Sequence, residues 1–136
     1  MSHESGFTLI ELMVTLALAG LLLALVPPLL DKGGDRARLA HDRRVLVGQL
    51  RLARSEAIAG DHAVDVIFDL DHRLFGIGKP STSFDASLAV TLDSPIEEKG
   101  LIRFFPDGSA SGAAIQLANR SGRVDLTVDW LTGAVQ

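Results

Sequence analysis

The chain is organised around an apolar stretch that reads Gly6-Phe7-Thr8-Leu9-Ile10-Glu11-Leu12-Met13 and continues to Leu30. No residue from Leu12 to Val26 carries a charge. A helix over residues 7–30 is long enough to cross a hydrocarbon core of about 30 Å, at about 1.5 Å per residue. The carboxylate of Glu11 is costly in such a segment, on the order of 2.5 kcal/mol or more at mid-membrane, so it needs a partner or a function.

Three interpretations compete for this segment. A secretory signal peptide has a basic start, an apolar core of about 7–15 residues and a small-residue cleavage site. Residues 1–6 contain no Lys or Arg, and the apolar run is too long for a signal peptide. A simple membrane anchor explains the length but leaves Glu11 without a role. A short leader that ends at Gly6, followed by an apolar helix with a glutamate at its fifth position, explains both features.

This third pattern resembles the N-terminal signal of type IV pilins and pseudopilins. The resemblance implies that a prepilin peptidase cuts between Gly6 and Phe7 and that Phe7 becomes the N-methylated first residue. It also implies that Glu11 sets the register between a new subunit and the growing filament. The physics is compatible with that role, because a carboxylate in lipid is less costly beside the new amine of its own or a neighbouring subunit.

Charge is spread unevenly along the 136 residues, which suit one small domain and an anchor. A net charge of −4 does not suggest a nucleic-acid binder, and cysteine is absent. Asp31–Arg54, here called the basic neck, holds seven basic residues against three aspartates, whereas residues 61–136 hold six against eleven acidic ones. The positive-inside rule would place the neck in the cytoplasm. The resemblance instead implies a single-pass protein of the bacterial inner membrane with a periplasmic C-terminal domain, and we follow it because its motif is more specific.

Glycine and proline predict weak points in the helical region. Gly20 and the pair Pro27 and Pro28 are expected to break or bend the helix, since proline lacks an N–H and clashes with the preceding turn. We expect Asp35 to cap a second helical stretch that Gly60 ends. The apolar stripe of this stretch has spacings of seven, four, three and four, and consists of Leu39, Leu46, Leu50, Ala53 and Ala57. The neck arginines Arg43, Arg44, Arg51 and Arg54 are expected on the other faces, towards solvent or towards neighbours in a filament.

The period changes after Gly60. Val64, Val66 and Phe68 alternate with other residues, which predicts a strand. Further strands are predicted at 74–77, 88–92, 101–105, 113–117 and 124–128. The predicted fold is therefore α+β: a long N-terminal helix, transmembrane in its first half and amphipathic in its second, packed on a C-terminal antiparallel β-sheet domain. The predicted divisions are a leader (1–6), a transmembrane and assembly helix (7–30), an amphipathic periplasmic helix (31–60) and an antiparallel β domain (61–136).

Three later stretches sharpen the resemblance. Residues 52–58, 105–112 and 131–133 are similar to those of minor pseudopilin H of type II secretion and of FimT-type minor pilins, the GspH/FimT family. The resemblance implies a structural component at the tip of a periplasmic pseudopilus. Its partners would be other minor pseudopilins, the major pseudopilin and the prepilin peptidase, in the inner membrane, and it implies no cofactor.

No catalytic or metal-binding residue is predicted. The pattern Asp69-x-Asp71-His72 could suggest a metal site, but it lies in a predicted hairpin turn and lacks the glycine and glutamate of a calcium loop. The sequence contains no nucleophile elbow, phosphate loop or zinc motif. The chain is therefore interpreted as a substrate of the peptidase and not as an enzyme.

The alternative function is DNA uptake by a FimT-like type IV minor pilin. Nucleic-acid binding requires phosphate neutralisation by clustered Lys and Arg. The C-terminal domain is net acidic, and the tail Gly133–Gln136 carries no side-chain charge, whereas the resemblance implies a basic tail in DNA-binding relatives. The sequence therefore favours the secretion role over a nucleic-acid partner.

Overall fold

The computed structural model describes residues 8–96 and 100–136, and for residues 24–32 it describes the backbone without the side chains. The chain forms two compact units, Met1–Gly34 and Asp35–Gln136. One long helix is followed by seven strands. The elements are α1 (Leu9–Gly60), β1 (Val64–Asp69), β2 (Leu74–Ile77), β3 (Thr82–Ser83), β4 (Ala89–Asp93), β5 (Leu101–Phe104), β6 (Ala113–Asn119) and β7 (Gly122–Val128).

Helix α1 is continuous, which corrects two expectations from the sequence. The helical backbone runs through Gly20, Pro27 and Pro28, so the expected helix break is not found there, and a bend without loss of helix stays a prediction. Asp35 lies within the helix and does not cap a second one. A helix can accommodate a proline when the flanking hydrogen bonds persist, at a cost of roughly 3 kcal/mol.

Among residues 8–96 and 100–136, no helix combines the length and the apolar character needed to cross a membrane. The predicted transmembrane segment, 7–30, is described only in part, because Phe7 and the side chains of residues 24–32 lie outside the described residues.

The helix ends at Gly60, as predicted. The residue that turns the chain away from the helix is Asp61, whose φ of 51° lies in the left-handed region. Aspartate is one of the few non-glycine residues that tolerate this conformation. A Cβ at Gly60 would lie 2.5 Å from ring atoms of His62, but this side chain is exposed and can rotate away.

The predicted apolar stripe of the second half of α1 is confirmed. All five of its residues are buried, and four of them have no exposed surface. Leu52 and Ile58 lie off the stripe and remain about half exposed. The stripe packs into one core with strand residues from Val64 to Val128, so this part of α1 is held by burial of its apolar face.

The strands form two antiparallel sheets, in which some neighbouring strands are not consecutive along the chain. The first sheet has the order β3-β2-β1-β5 and the second the order β4-β6-β7. Strand β5 returns to pair with β1, with Val64 opposite Phe104, while β4 pairs with β6. Strands that follow each other along the chain pair in β1–β2, β2–β3 and β6–β7.

Alternation along β1 follows the prediction. Val64, Val66 and Phe68 are buried and the residues between them are half buried. Phe68, Phe75 and Phe84 stack inside the core, with the closest ring centroids, those of Phe75 and Phe84, 4.3 Å apart. Phe84 follows the two-residue strand β3, where no strand was predicted from the sequence.

Candidate functional site

The N-terminus of α1 is capped by Thr8. The hydroxyl of Thr8 accepts a hydrogen bond from the Glu11 N–H at 3.3 Å, and the Thr8 carbonyl accepts from the N–H groups of Glu11 and Leu12 at 3.1 and 3.2 Å. Thr8 and Glu11 occupy the first and fourth positions of the capping-box pattern Ser/Thr-x-x-Glu. A carboxylate in the first helical turn also complements the positive end of the helix dipole.

The Glu11 side chain makes no ion pair with any other described residue. Glu11 therefore contributes to the helix start through its backbone N–H and its position in the first turn. Its carboxylate has no ion-pair partner among the described residues. Phe7, the residue whose amine was predicted to pair with it, lies outside the described residues, as does Gly6. The cleavage and methylation assigned to these two residues stay predictions.

The apolar residues that follow Glu11 are open to their surroundings. Those from Leu9 to Leu23 that are large and hydrophobic are between 53% and 78% exposed. Exposed apolar surface of this extent marks a site of contact with a membrane or with another protein. Gly20 lies within this run, and a Cβ added there would meet no atom within 4 Å. Gly20 lies nine residues from Glu11, about 14 Å by helical rise, and the side chains of Pro27 and Pro28 lie outside the described residues.

A second cluster, here called the Arg54 junction, joins three segments that are far apart in sequence. The Nε–H of Arg54 is shared between the carbonyl oxygens of Gly108 and Thr132, at 3.1 and 3.0 Å. A Cβ at Gly133 would lie 2.4 Å from the Gly108 oxygen and 2.9 Å from Arg54 Nε. Three stretches similar to the GspH/FimT family, 52–58, 105–112 and 131–133, therefore meet at this side chain.

The two turns of the Arg54 junction are each closed by an aspartate. Asp107 accepts hydrogen bonds from the hydroxyl and the N–H of Ser109, and these bonds lower the pKa of its carboxyl. Asp129 accepts from the N–H and the hydroxyl of Thr132 and from the N–H of Leu131, and these bonds lower its pKa in the same way. Each turn is thus held by hydrogen bonds of its own, in addition to the bond from Arg54 that joins it to the helix.

The sequence interpretation of Arg54 was wrong. It was placed among arginines facing solvent or neighbouring subunits, but its guanidinium binds two carbonyls of its own chain. The spacing of the helix cannot reveal this, since the acceptors are 54 and 78 residues away. Arg43, Arg44 and Arg51 are exposed, as expected.

The pattern Asp69-x-Asp71-His72 forms a turn. Asp69 accepts hydrogen bonds from the His72 N–H at 3.0 Å and from its Nδ1 at 2.8 Å, and these contacts lower the pKa of the Asp69 carboxyl. Across the described parts of the chain, no three histidine, aspartate or glutamate side chains converge in a way that could hold a metal ion.

The sequence matches two known families. The prokaryotic N-terminal methylation motif matches residues 1–27, and the family described as type II transport protein GspH matches residues 43–133. The first match contains Gly6, Phe7 and Glu11, and the second contains the whole Arg54 junction.

Individual relatives agree with these families. The chain is 29% identical over 137 residues to type II secretion system protein H of Xanthomonas campestris pv. campestris, covering 96% of this chain and 81% of that protein. The fold is similar to the minor pseudopilin EpsH of Vibrio cholerae, with a TM-score of 0.59 and 12% identity over 73% of this chain and 94% of that one. It is also similar to the type IV minor pilin FimU of Pseudomonas aeruginosa, with a TM-score of 0.63 and 19% identity over 75% and 89% of the two chains. The GspH match spans most of the chain and includes the Arg54 junction, and the chain therefore belongs to the family of type II transport proteins GspH.

Proposed function

We propose that this chain is a minor pseudopilin of a type II secretion system, assembled into the tip of a periplasmic pseudopilus after leader cleavage and N-methylation. The GspH family match and the similarity to type II secretion system protein H support this role over the FimT-like alternative of DNA uptake, and the N-terminal methylation motif supports the processing step. The single observation that carries it is the exposed apolar run Leu9–Leu23 on a helix whose other end is built into a folded domain.

Each part of the chain has its own role in this proposal. The apolar run anchors the precursor in the inner membrane and then contacts other pseudopilins in the filament, because each setting covers its apolar surface. The free Glu11 carboxylate pairs with an N-terminal amine, which lowers the cost of placing it among apolar groups. Residues 35–136 form the periplasmic head. The chain supplies structure and is the substrate of the peptidase.

Processing is tested by the N-terminal mass of the full chain, purified from cells with and without prepilin peptidase. We expect a peptide that begins with N-methylated Phe7 only when the peptidase is present. A Gly6→Asp variant is expected to stay unprocessed, because the peptidase of this family cuts after glycine. An intact Met1 start in both strains would contradict the proposal, as would full processing of Gly6→Asp.

The role of Glu11 is tested by replacing it without disturbing the helix start. We expect Glu11→Ala to be cleaved after Gly6 largely as the native chain is, and to lose secretion by the assembled machine. Thr8→Val removes the capping hydroxyl but keeps the carboxylate, and is expected to retain secretion. Asp71→Ala, which removes an exposed carboxylate outside the helix, is the control. Normal secretion with Glu11→Ala, or equal loss with Thr8→Val, would refute the assembly role of the carboxylate.

A further inference from the structure

A basic groove lies between helix α1 and the turn that joins β6 to β7. It has a volume of about 650 Å³. Arg36, Arg43 and Arg44 of the helix and Arg123 of β7 line it, and we call it the arginine groove. The sequence predicted Arg43 and Arg44 on an open face of the helix but did not predict that Arg36 and a strand arginine would line a groove with them.

The walls of the groove are held in place by the fold. The side-chain amide of Asn119, in the β6–β7 hairpin, donates a hydrogen bond to the Asp35 carbonyl oxygen at 2.6 Å. The apolar part of the lining comes from Leu39, Ala40 and Val124, and Leu39 belongs to the core. Contacts within the chain therefore hold the walls of the groove in position, so that a partner would bind without the entropy cost of ordering them.

The positive charge of the groove is largely uncompensated. Among the described side chains, which exclude those of residues 24–32 and 97–99, no carboxylate lies within 4.0 Å of Arg36, Arg43 or Arg44. Arg123 contacts Asp125 at 3.3 Å, but both side chains are about 60% exposed, so solvent screens the attraction between them. An anion placed in the groove would relieve the repulsion among four guanidinium groups.

We propose that the arginine groove docks a carboxylate-bearing segment of a neighbouring pilin-like subunit, which extends the function proposed above and rests on it. Arginines around a floor of leucine, alanine and valine have the composition of a protein interface, in which guanidinium groups bind carboxylates in a bidentate manner. A nucleic-acid surface is more polar and follows the phosphate backbone over a longer track. The helical wall from residue 36 to residue 44 spans only about 12 Å at about 1.5 Å per residue.

Charge complementarity supports this choice of partner. Glu56 and Asp61 lie at the opposite end of the α1 segment that belongs to the Asp35–Gln136 unit, about 30 Å or more from Arg36 by helical rise. Neither makes an ion pair with another residue that the structure describes. The unit thus has a basic end and an end with free carboxylates. Subunits of this fold that are stacked in a filament would bring opposite charges together, which favours one register over others.

Binding is tested with the full chain in detergent micelles and a fluorescent peptide of ten glutamates, by anisotropy at low salt. We expect Arg43→Glu and Arg44→Glu each to weaken binding about tenfold or more, and added salt to weaken binding to the native chain. Arg51→Glu is the matched control, because it makes the same change of charge at an exposed position of the same helix outside the groove. It is expected to change affinity by less than about twofold.

Two further probes distinguish a carboxylate site from a phosphate site: a duplex oligonucleotide of mixed sequence and vesicles containing phosphatidylglycerol. Either one binding more tightly than the peptide, and weakened by Arg43→Glu, would overturn the proposal. Equal losses for Arg43→Glu and Arg51→Glu would overturn it as well, since they would indicate general attraction. Arg43→Gln replaces Arg43→Glu if the latter does not fold. Failure here with a normally processed N-terminus would leave the pseudopilin role standing, whereas an unprocessed N-terminus would remove that role.

Discussion

Arg54 joins parts of the chain that are far apart in sequence. One N–H serves two carbonyl acceptors, one in the turn after β5 and one in the turn near the C-terminus. Gly108 and Gly133 allow this close approach, since both have positive φ, 84° and 62°, and neither has room for a Cβ. The family resemblance of the three segments has a physical basis here, because a change in any one of them would alter the same contact.

Removing the Arg54 side chain is expected to destabilise the domain. Arg54→Ala leaves two carbonyl oxygens without their shared donor, and losing a hydrogen bond to a charged group costs about 1.5–3 kcal/mol. Urea unfolding of the full chain in detergent would measure this. Arg51→Ala, an exposed arginine one turn earlier, should change stability by less than about 0.5 kcal/mol. Equal stability of the two variants would contradict the role of Arg54.

Gly133→Ala is expected to be more destabilising than Gly78→Ala. Both glycines have φ between 60° and 70°, so alanine costs about 1–2 kcal/mol of backbone strain at either position. Only at Gly133 would the new Cβ also lie 2.4 Å from a backbone oxygen, whereas nothing lies within 4 Å at Gly78. We expect a further cost of about 1–3 kcal/mol for Gly133→Ala, measured by thermal unfolding. Equal costs would show that the junction relaxes around the added methyl group.

At the scale of elements, α1 has an apolar run at one end and an amphipathic stripe at the other. The stripe could be predicted residue by residue because side chains three or four apart share a helix face whatever the rest of the chain does. The continuity of the helix could not be predicted, since Gly33, Gly34 and the two prolines are individually unfavourable in a helix. The second half of the helix is held separately, by the burial of Leu46, Leu50, Ala53 and Ala57, which have no exposed surface.

Gly48 offers a test of the helix itself. It is exposed, it lies inside α1, and a Cβ there would meet nothing within 4 Å. Gly48→Ala is therefore expected to stabilise the chain by about 0.5–1 kcal/mol, since alanine loses less backbone entropy in a helix. Gly60→Ala is expected to have little effect, because the atoms its Cβ would meet at 2.5 Å belong to the exposed His62 ring, which can rotate away. Thermal unfolding compares the two, and a lower midpoint for Gly48→Ala would contradict the expected gain.

The whole molecule is expected to lose stability in acid. Hydrogen bonds lower the pKa values of Asp69, Asp85, Asp107 and Asp129 below the ordinary value of 3.8, by contacts with His72, Ser87, Ser109 and Thr132 respectively. A carboxyl whose pKa is lower in the folded state stabilises the fold above its unfolded pKa and loses that contribution as the pH falls through the folded value. The unfolding midpoint should thus be nearly constant from about pH 5 to 7 with respect to these groups and fall below about pH 4.

Asp129→Asn tests how much one of these carboxylates contributes to the pH dependence of the unfolding midpoint. The variant should have a lower unfolding midpoint than the native chain at pH 7, and the difference should shrink as the pH falls below about 4, because protonation removes the advantage of the native carboxylate. Asp71→Asn, an exposed aspartate whose side chain makes no hydrogen bond with the described residues, is the control. A pH-independent difference for Asp129→Asn would show that the charge of Asp129 does not contribute to the stability of the turn.

The sequence by itself determined the features that depend on neighbouring residues. The helix stripe and the alternation of β1 are periodic, and short-range sterics and burial decide them, whereas the leader and glutamate pattern stays a prediction. The tertiary structure alone decided that β5 pairs with β1, that Arg54 joins three segments and that Arg123 completes the arginine groove. These arrangements bring together residues 34 to 87 positions apart, and their energies depend on how the helix and the two sheets pack around a shared core, which no local pattern of residues encodes.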